Sequence, residues 1–86
     1  MAKLRITLAN GDVSDHAITP VIEYAFEQNY KKGFYKAIVE EGQQTYIYWL
    51  AWKCLFVGGT VDIKPFGEQF VASLAKVEVL DEDPNL

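Results

Sequence analysis

The sequence predicts an α+β domain in which an N-terminal β-hairpin packs on three to four short helices. Three observations predict it. Leu4, Ile6 and Leu8 alternate with Lys3, Arg5 and Thr7 just before Asn10-Gly11, the pattern of a half-buried strand running into a tight turn. Apolar residues then recur with helical spacing in several later stretches. The last observation is the run at residues 45–57, which is long enough for a helix, carries a single charge, Lys53, and holds both tryptophans of the chain.

The hairpin comes first. A two-residue loop would set Ile6 opposite Asp15, whereas a three-residue loop through Asp12 sets Ile6 opposite His16 and Leu4 opposite Ile18. The second register is preferred because it keeps Asp15 off the buried face, and a slip of one residue reverses every side chain. Thr19-Pro20 then reads as a helix start, with a hydroxyl to cap free amides and a proline where its missing N–H costs nothing. This helix runs from Pro20 to about Tyr30 with Ile22, Ala25, Phe26 and Asn29 on one face, and Lys31 and Lys32 suit the negative end of its dipole. Gly33 breaks or bends the path. Phe34, Tyr35, Ala37 and Ile38 make a second short helical turn that fades at Glu40-Glu41-Gly42.

The aromatic run follows and ends at Gly58-Gly59, where a permissive backbone can stop a helix. Ile47, Leu50, Ala51, Cys54 and Leu55 fall on one core-facing stripe. Tyr48, Trp49, Trp52 and Phe56 occupy the opposite face, and Lys53 with Tyr46 makes only a narrow polar edge. A helix apolar all round must be covered on both sides, yet a chain of 86 residues hides only about 60% of its unfolded surface. Each large aromatic offers roughly 150 to 250 Å², on the order of 4 to 6 kcal/mol at about 25 cal/mol per Å². Trp49, Trp52 and Phe56 are therefore the residues whose cover is open to question. Residues 60–64 read as a short strand or extended linker with Val61 and Ile63 on one side, and Pro65 opens a last helix with Phe66, Phe70, Val71, Leu74 and Ala75 as its stripe. Val77, Val79 and Leu80 continue as an extended segment. Residues 1–80 form one domain, and residues 81–86 an acidic tail that frays.

Composition excludes several classes. A net charge of −4 and a pI near 4.8 oppose general nucleic-acid binding, and the cluster Lys31, Lys32 and Lys36 reads as a solvated helix end. The aromatic run is too short to span a bilayer, which takes about 20 residues, and the N-terminus lacks the order of a signal peptide, so a soluble, intracellular protein is expected. Cys54, the single cysteine, suits a reducing compartment and reads as a small core residue.

Catalytic chemistry is hard to assemble. His16 is the single histidine, and with Asp12 and Asp15 it reads as part of a polar hairpin instead of a metal site. Gly58-Gly59 follows a helix and lacks the lysine and further glycines of a phosphate loop. Glu40 and Glu41 sit in a polar stretch without an apolar pocket to raise a carboxyl pKa. No catalytic residue, metal ligand or cofactor is expected.

The ordered phrases Lys3-Leu4-Arg5-Ile6-Thr7-Leu8, Asn10-Gly11-Asp12, Ile18-Thr19-Pro20, Glu23-Tyr24-Ala25-Phe26-Glu27, Lys32-Gly33-Phe34, Tyr48-Trp49-Leu50-Ala51-Trp52 and Pro65-Phe66-Gly67-Glu68-Gln69-Phe70 together resemble the tail assembly chaperones of long-tailed bacteriophages. The closing Val77-Glu78-Val79-Leu80-Asp81-Glu82-Asp83 is similar to the end of that family's short product. The resemblance implies a non-enzymatic protein of the host cytoplasm that binds and solubilises the tape measure protein during tail morphogenesis and is left out of the mature virion. It also implies a possible longer product of ribosomal frameshifting. The partner-binding residues expected are Tyr30, Phe34, Tyr48, Trp49, Trp52 and Phe56, with Tyr24 and Tyr35 as further exposed aromatics. Self-association is expected because monomers seldom leave large contiguous apolar patches bare. The rival reading is a small oligomeric virion component, a head-tail connector or tail accessory subunit.

Overall fold

Two strands, β1 (Ala2–Leu8) and β2 (Val13–Ala17), form the hairpin in the computed structural model, which describes residues 2–60 and 63–81. Its register corrects both expected pairings. Ile6 lies opposite Ser14 and Leu4 opposite His16, so the loop holds three residues, Ala9-Asn10-Gly11, and stops short of Asp12. The glycine decides this. Gly11 has φ +98°, its N–H bonds the Leu8 carbonyl at 2.9 Å, and Leu8 N–H bonds the Asp12 carbonyl at 2.8 Å, a turn followed by a left-handed residue. Asn10 Oδ1 accepts the Asp12 N–H at 2.9 Å and holds the turn shut. Leu4 and Ile6 point into the core while Arg5 clasps Asp15 across the outer face through two hydrogen bonds of 2.8 and 3.0 Å. Nothing lies within 4 Å of a Cβ built on Gly11, so Gly11→Ala carries a purely conformational penalty. That penalty is about 1 kcal/mol, read as a fall of about 4 to 8 °C in the thermal midpoint.

The first helix, α1 (Pro20–Tyr30), has the bounds its proline and periodicity predict, with Ile22 and Phe26 buried. Asn29 is exposed, and the Thr19 hydroxyl makes no capping bond; its carbonyl instead accepts the Glu23 N–H. Lys31, not Gly33, takes the left-handed conformation that ends the helix, at φ 58°. The second short turn is π-helical, Lys36–Glu41, closed by Gly42 N–H bonding five residues back to the Ala37 carbonyl.

The aromatic run forms α2 (Gln44–Val57). Gly59, at φ 80°, ends it with bonds from Gly59 N–H to Phe56 and from Thr60 N–H to Leu55, the paired closure that a left-handed glycine allows. Ile47, Leu50, Ala51, Cys54 and Leu55 are all buried, as their stripe predicts, and Tyr46 and Trp49 join them. Among the described residues α2 supplies half of the buried apolar core. Burial pushes the Cys54 thiol up to about 11, so it behaves as a packed apolar group.

The carboxyl-terminal part differs most from expectation. The last helix, α3 (Glu68–Ala72), is one short turn, and Leu74–Asp81 forms a third strand, β3, antiparallel to β1. Ser73 stops the helix by donating its hydroxyl to the Phe70 carbonyl at 2.6 Å, and Ala9 N–H then takes the Ser73 carbonyl at 2.8 Å. The sheet order is β2-β1-β3, with a register shift between Thr7 and Leu8 that skips Ala75. Asp81 is thus the end of a strand opposite Ala2 and not the start of a tail, while residues 82–86 and Val61, named above for a linker strand, lie outside the described residues. No described helix is long and apolar enough to cross a membrane.

Candidate functional site

Phe26 and Trp49 anchor the contact between α1 and α2. Phe26 is fully enclosed, and its ring meets those of Tyr30, Phe34, Tyr46 and Trp49 at centroid distances of 4.8, 5.4, 5.4 and 5.9 Å. Three of these contacts are edge-to-face, the arrangement aromatic quadrupoles favour. The ring chain continues outward from Trp49 to Trp52 at 6.0 Å and from Trp52 to Phe56, stacked at 5.3 Å and 16°. Cover falls off along that chain. Trp49 is 6% exposed, Trp52 is half-buried and Phe56 is 52% exposed.

A polar latch fixes the near end of the contact. Tyr46, which the sequence places on a polar edge, is buried with its hydroxyl turned to Lys32 and Glu41. Lys32 Nζ donates to Glu41 Oε1 at 2.9 Å and to the Tyr46 oxygen at 3.0 Å, and the Tyr46 hydroxyl donates to the same carboxylate oxygen at 3.0 Å. The lysine first and the tyrosine second hold the Glu41 carboxyl below the usual carboxylate range. The Tyr46 bond and then the Glu41 bond raise Lys32. The signs set a window. A carboxyl lowered by folding contributes stability above its unfolded pKa and loses it as pH falls through the folded value; a raised lysine loses its contribution as pH rises through its folded value. Acid titration followed by circular dichroism is therefore expected to show a destabilisation below the ordinary carboxylate range that Glu41→Gln reduces.

The far end is held by Trp52, whose indole N–H donates to the Lys64 carbonyl at 2.9 Å and fastens the segment before α3 against α2. Phe66 then meets Trp52 edge-on at 6.3 Å. Between these fastenings the surface opens into a groove of about 890 Å³ with three walls. Val21, Tyr24, Ala25 and Gln28 line it from α1, Trp49, Trp52, Lys53 and Val57 from α2, and Pro65 and Phe66 from the following segment. Val21, Tyr24 and Val57 are each more than half exposed. Lys53 is the one charged residue of the lining, and its ammonium sits 5.1 Å from the Phe56 ring centre and 5.8 Å from that of Trp52.

Of the residues expected to bind a partner, Tyr30, Trp49 and Trp52 line this groove, and Phe56 stacks on Trp52 beside it. Tyr48 and Phe34 lie elsewhere. Tyr48 borders a small recess with Val71, Leu74 and Lys76, and Phe34 packs on Phe26 and lines a separate cavity with Ile38 and Val79. Phe34 N–H also donates to Glu27 Oε2 at 2.8 Å, which ties the segment leading into the π-helical turn to α1. On the wall of α1, Ala25 belongs to the expected helical face and Tyr24 to the expected exposed aromatics, while Val21 and Gln28 are named by neither reading. Val21, Tyr24, Ala25 and Gln28 follow the i, i+3, i+4, i+7 spacing of a second stripe beside the buried Ile22 and Phe26. The hairpin polar residues do not converge: Asp15 faces outward to Arg5, while His16 is on the inner face, bonded to Ser14 Oγ at 2.8 Å and held below its usual pKa chiefly by burial. Comparison of the chain with protein-family models, with curated proteins and with solved structures finds no match.

Proposed function

We propose that the protein is a non-enzymatic tail assembly chaperone of a long-tailed bacteriophage, which binds and solubilises the tape measure protein in the host cytoplasm and is absent from the mature virion. The observation that carries this reading is the groove between α1 and α2, an open, largely aromatic and aliphatic surface with Lys53 as its one charge on an acidic chain. An amphipathic client helix, about 10 to 12 Å across with its side chains, lays its apolar face into such a surface and reads anchors one turn apart. Isolated apolar side chains need no explanation on a protein surface, but a continuous patch bordered by polar residues marks an interaction site. The whole-length resemblance of short phrases supplies the client's identity.

Coexpression with fragments of the tape measure protein tests the proposal. The fragments are expected to stay soluble and to copurify with the chaperone. Fragments that remain insoluble and unbound would count against it, and recovery of the protein from purified particles would favour a virion subunit instead.

A further inference from the structure

We propose that the free edge of β3 is a self-association site, at which two copies of this chain pair their β3 strands antiparallel about a two-fold axis through Val77. The proposal uses none of the groove residues and stands or falls apart from client binding. Backbone direction is the first argument. Leu8 N–H bonds the Asp12 carbonyl and Ile18 N–H bonds the Ala2 carbonyl, so the even residues of β1 turn their peptide groups toward β2. By alternation Lys3, Arg5 and Thr7 turn theirs toward β3, where they pair with Leu80, Glu78 and Lys76. Val77 and Val79 therefore aim their N–H and C=O groups away from the sheet. Among the described residues β1 is the one strand paired with β3, and that outward row is an unfilled ladder.

Charge supplies the register and names the occupant. On the outer face β3 carries Lys76 and Glu78, 3.5 Å apart, one on each side of Val77. A two-fold axis at Val77 sets Lys76 of each strand opposite Glu78 of the other, which makes two opposite-charge pairs, while Val77 exchanges both backbone bonds with its own copy. Any strand placed one residue out of register loses these pairs, and a parallel copy in register sets like charges side by side. The contact continues into apolar surface on the inner face. Val79 lines a cavity of about 250 Å³ with Phe34, Tyr35, Ile38 and Val39, and Tyr35, Val39 and Val79 are exposed at its mouth. In this register Val79 of each strand falls opposite Ala75 of the other, the residue that the pairing with β1 skips, so the regular ladder comprises residues 76–78.

Sedimentation equilibrium over a range of concentrations, on the full chain, tests the edge. The wild type is expected to show a reversible monomer–dimer equilibrium. Lys76→Glu and Glu78→Lys are each expected to weaken it about tenfold or more, because each turns both cross-strand pairs repulsive. An equimolar mixture of the two variants restores opposite charges at both pairs in the mixed dimer, and so does Lys76→Glu with Glu78→Lys in one chain; both are expected to associate like the wild type. Glu78 also faces Arg5 across β1, so thermal melting checks that each variant is folded, and the double variant provides the reading should a single one unfold. A wild type that stays monomeric at every concentration, a dimer indifferent to both reversals, or a mixture no tighter than its components would overturn the proposal.

Discussion

Phe26→Ala is expected to abolish cooperative folding or to lower the thermal midpoint by about 15 °C or more. Phe26 has no exposed surface, and its ring is the one that Tyr30, Phe34, Tyr46 and Trp49 all touch. Truncating a buried phenylalanine costs about 3 to 5 kcal/mol, through lost transfer energy and the cavity left behind. Small domains hold about 5 to 15 kcal/mol in all, so the loss is comparable with the whole of their stability. Tyr30, Tyr46 and Trp49 cannot collapse into the gap without giving up the edge-on contacts that Tyr30 makes with the other two. Val13→Ala, on the solvated face of the hairpin, provides the contrast, with a change within about 0.5 kcal/mol expected at an exposed site. Differential scanning calorimetry of both variants separates a packed core from general sensitivity.

The second large effect concerns the groove. Tyr24→Asp and Val57→Lys are each expected to weaken client binding by about 2 kcal/mol, roughly thirtyfold, because each sets a charge where an apolar anchor would be desolvated. Both positions are more than half exposed, so neither substitution opens a cavity. The charge at position 57 also suits the fold, because Lys in the last turn of α2 complements the helix dipole, a gain of about 0.3 to 1 kcal/mol. A loss of solubilisation with an unchanged melting curve assigns the effect to binding. Trp52→Ala would be harder to interpret, since it also removes the bond to the Lys64 carbonyl and the stack on Phe56.

Local patterns were legible where a local cause acts. The stripe Ile47, Leu50, Ala51, Cys54 and Leu55 is buried, and Pro20 and Gly58-Gly59 mark helix ends where proline and glycine chemistry predicts them. The opposite face of α2 could be flagged but not resolved, because the graded cover from Trp49 to Phe56 depends on α1 and on the segment that Trp52 fastens. Tyr46 was misplaced for a related reason: its burial requires Lys32 and Glu41 to arrive from two other segments. The third strand was obscured by a conflict of periods. Leu74 continues the one-turn spacing of Phe66 and Phe70, and only pairing with β1, remote in sequence, commits it to a strand. The hairpin register turned on a single angle, the positive φ that Gly11 takes and Asp12 does not. The groove itself was half visible, since Trp49 and Trp52 announce one wall and Tyr24 stands out as an exposed aromatic, while Val21 and Gln28 are masked by the stronger stripe beside them.

Client recognition as proposed requires the groove between α1 and α2 to receive an amphipathic helix of the tape measure protein. Titrating the labelled protein with a helical tape-measure peptide, and following amide and indole resonances by heteronuclear NMR, tests it residue by residue. Saturable shifts are expected, concentrated at Val21, Tyr24, Trp52, Val57 and Phe66 and absent in the Tyr24→Asp/Val57→Lys double variant. Saturable shifts that leave these residues unmoved, or no binding at any concentration of a peptide shown to be helical, would contradict it.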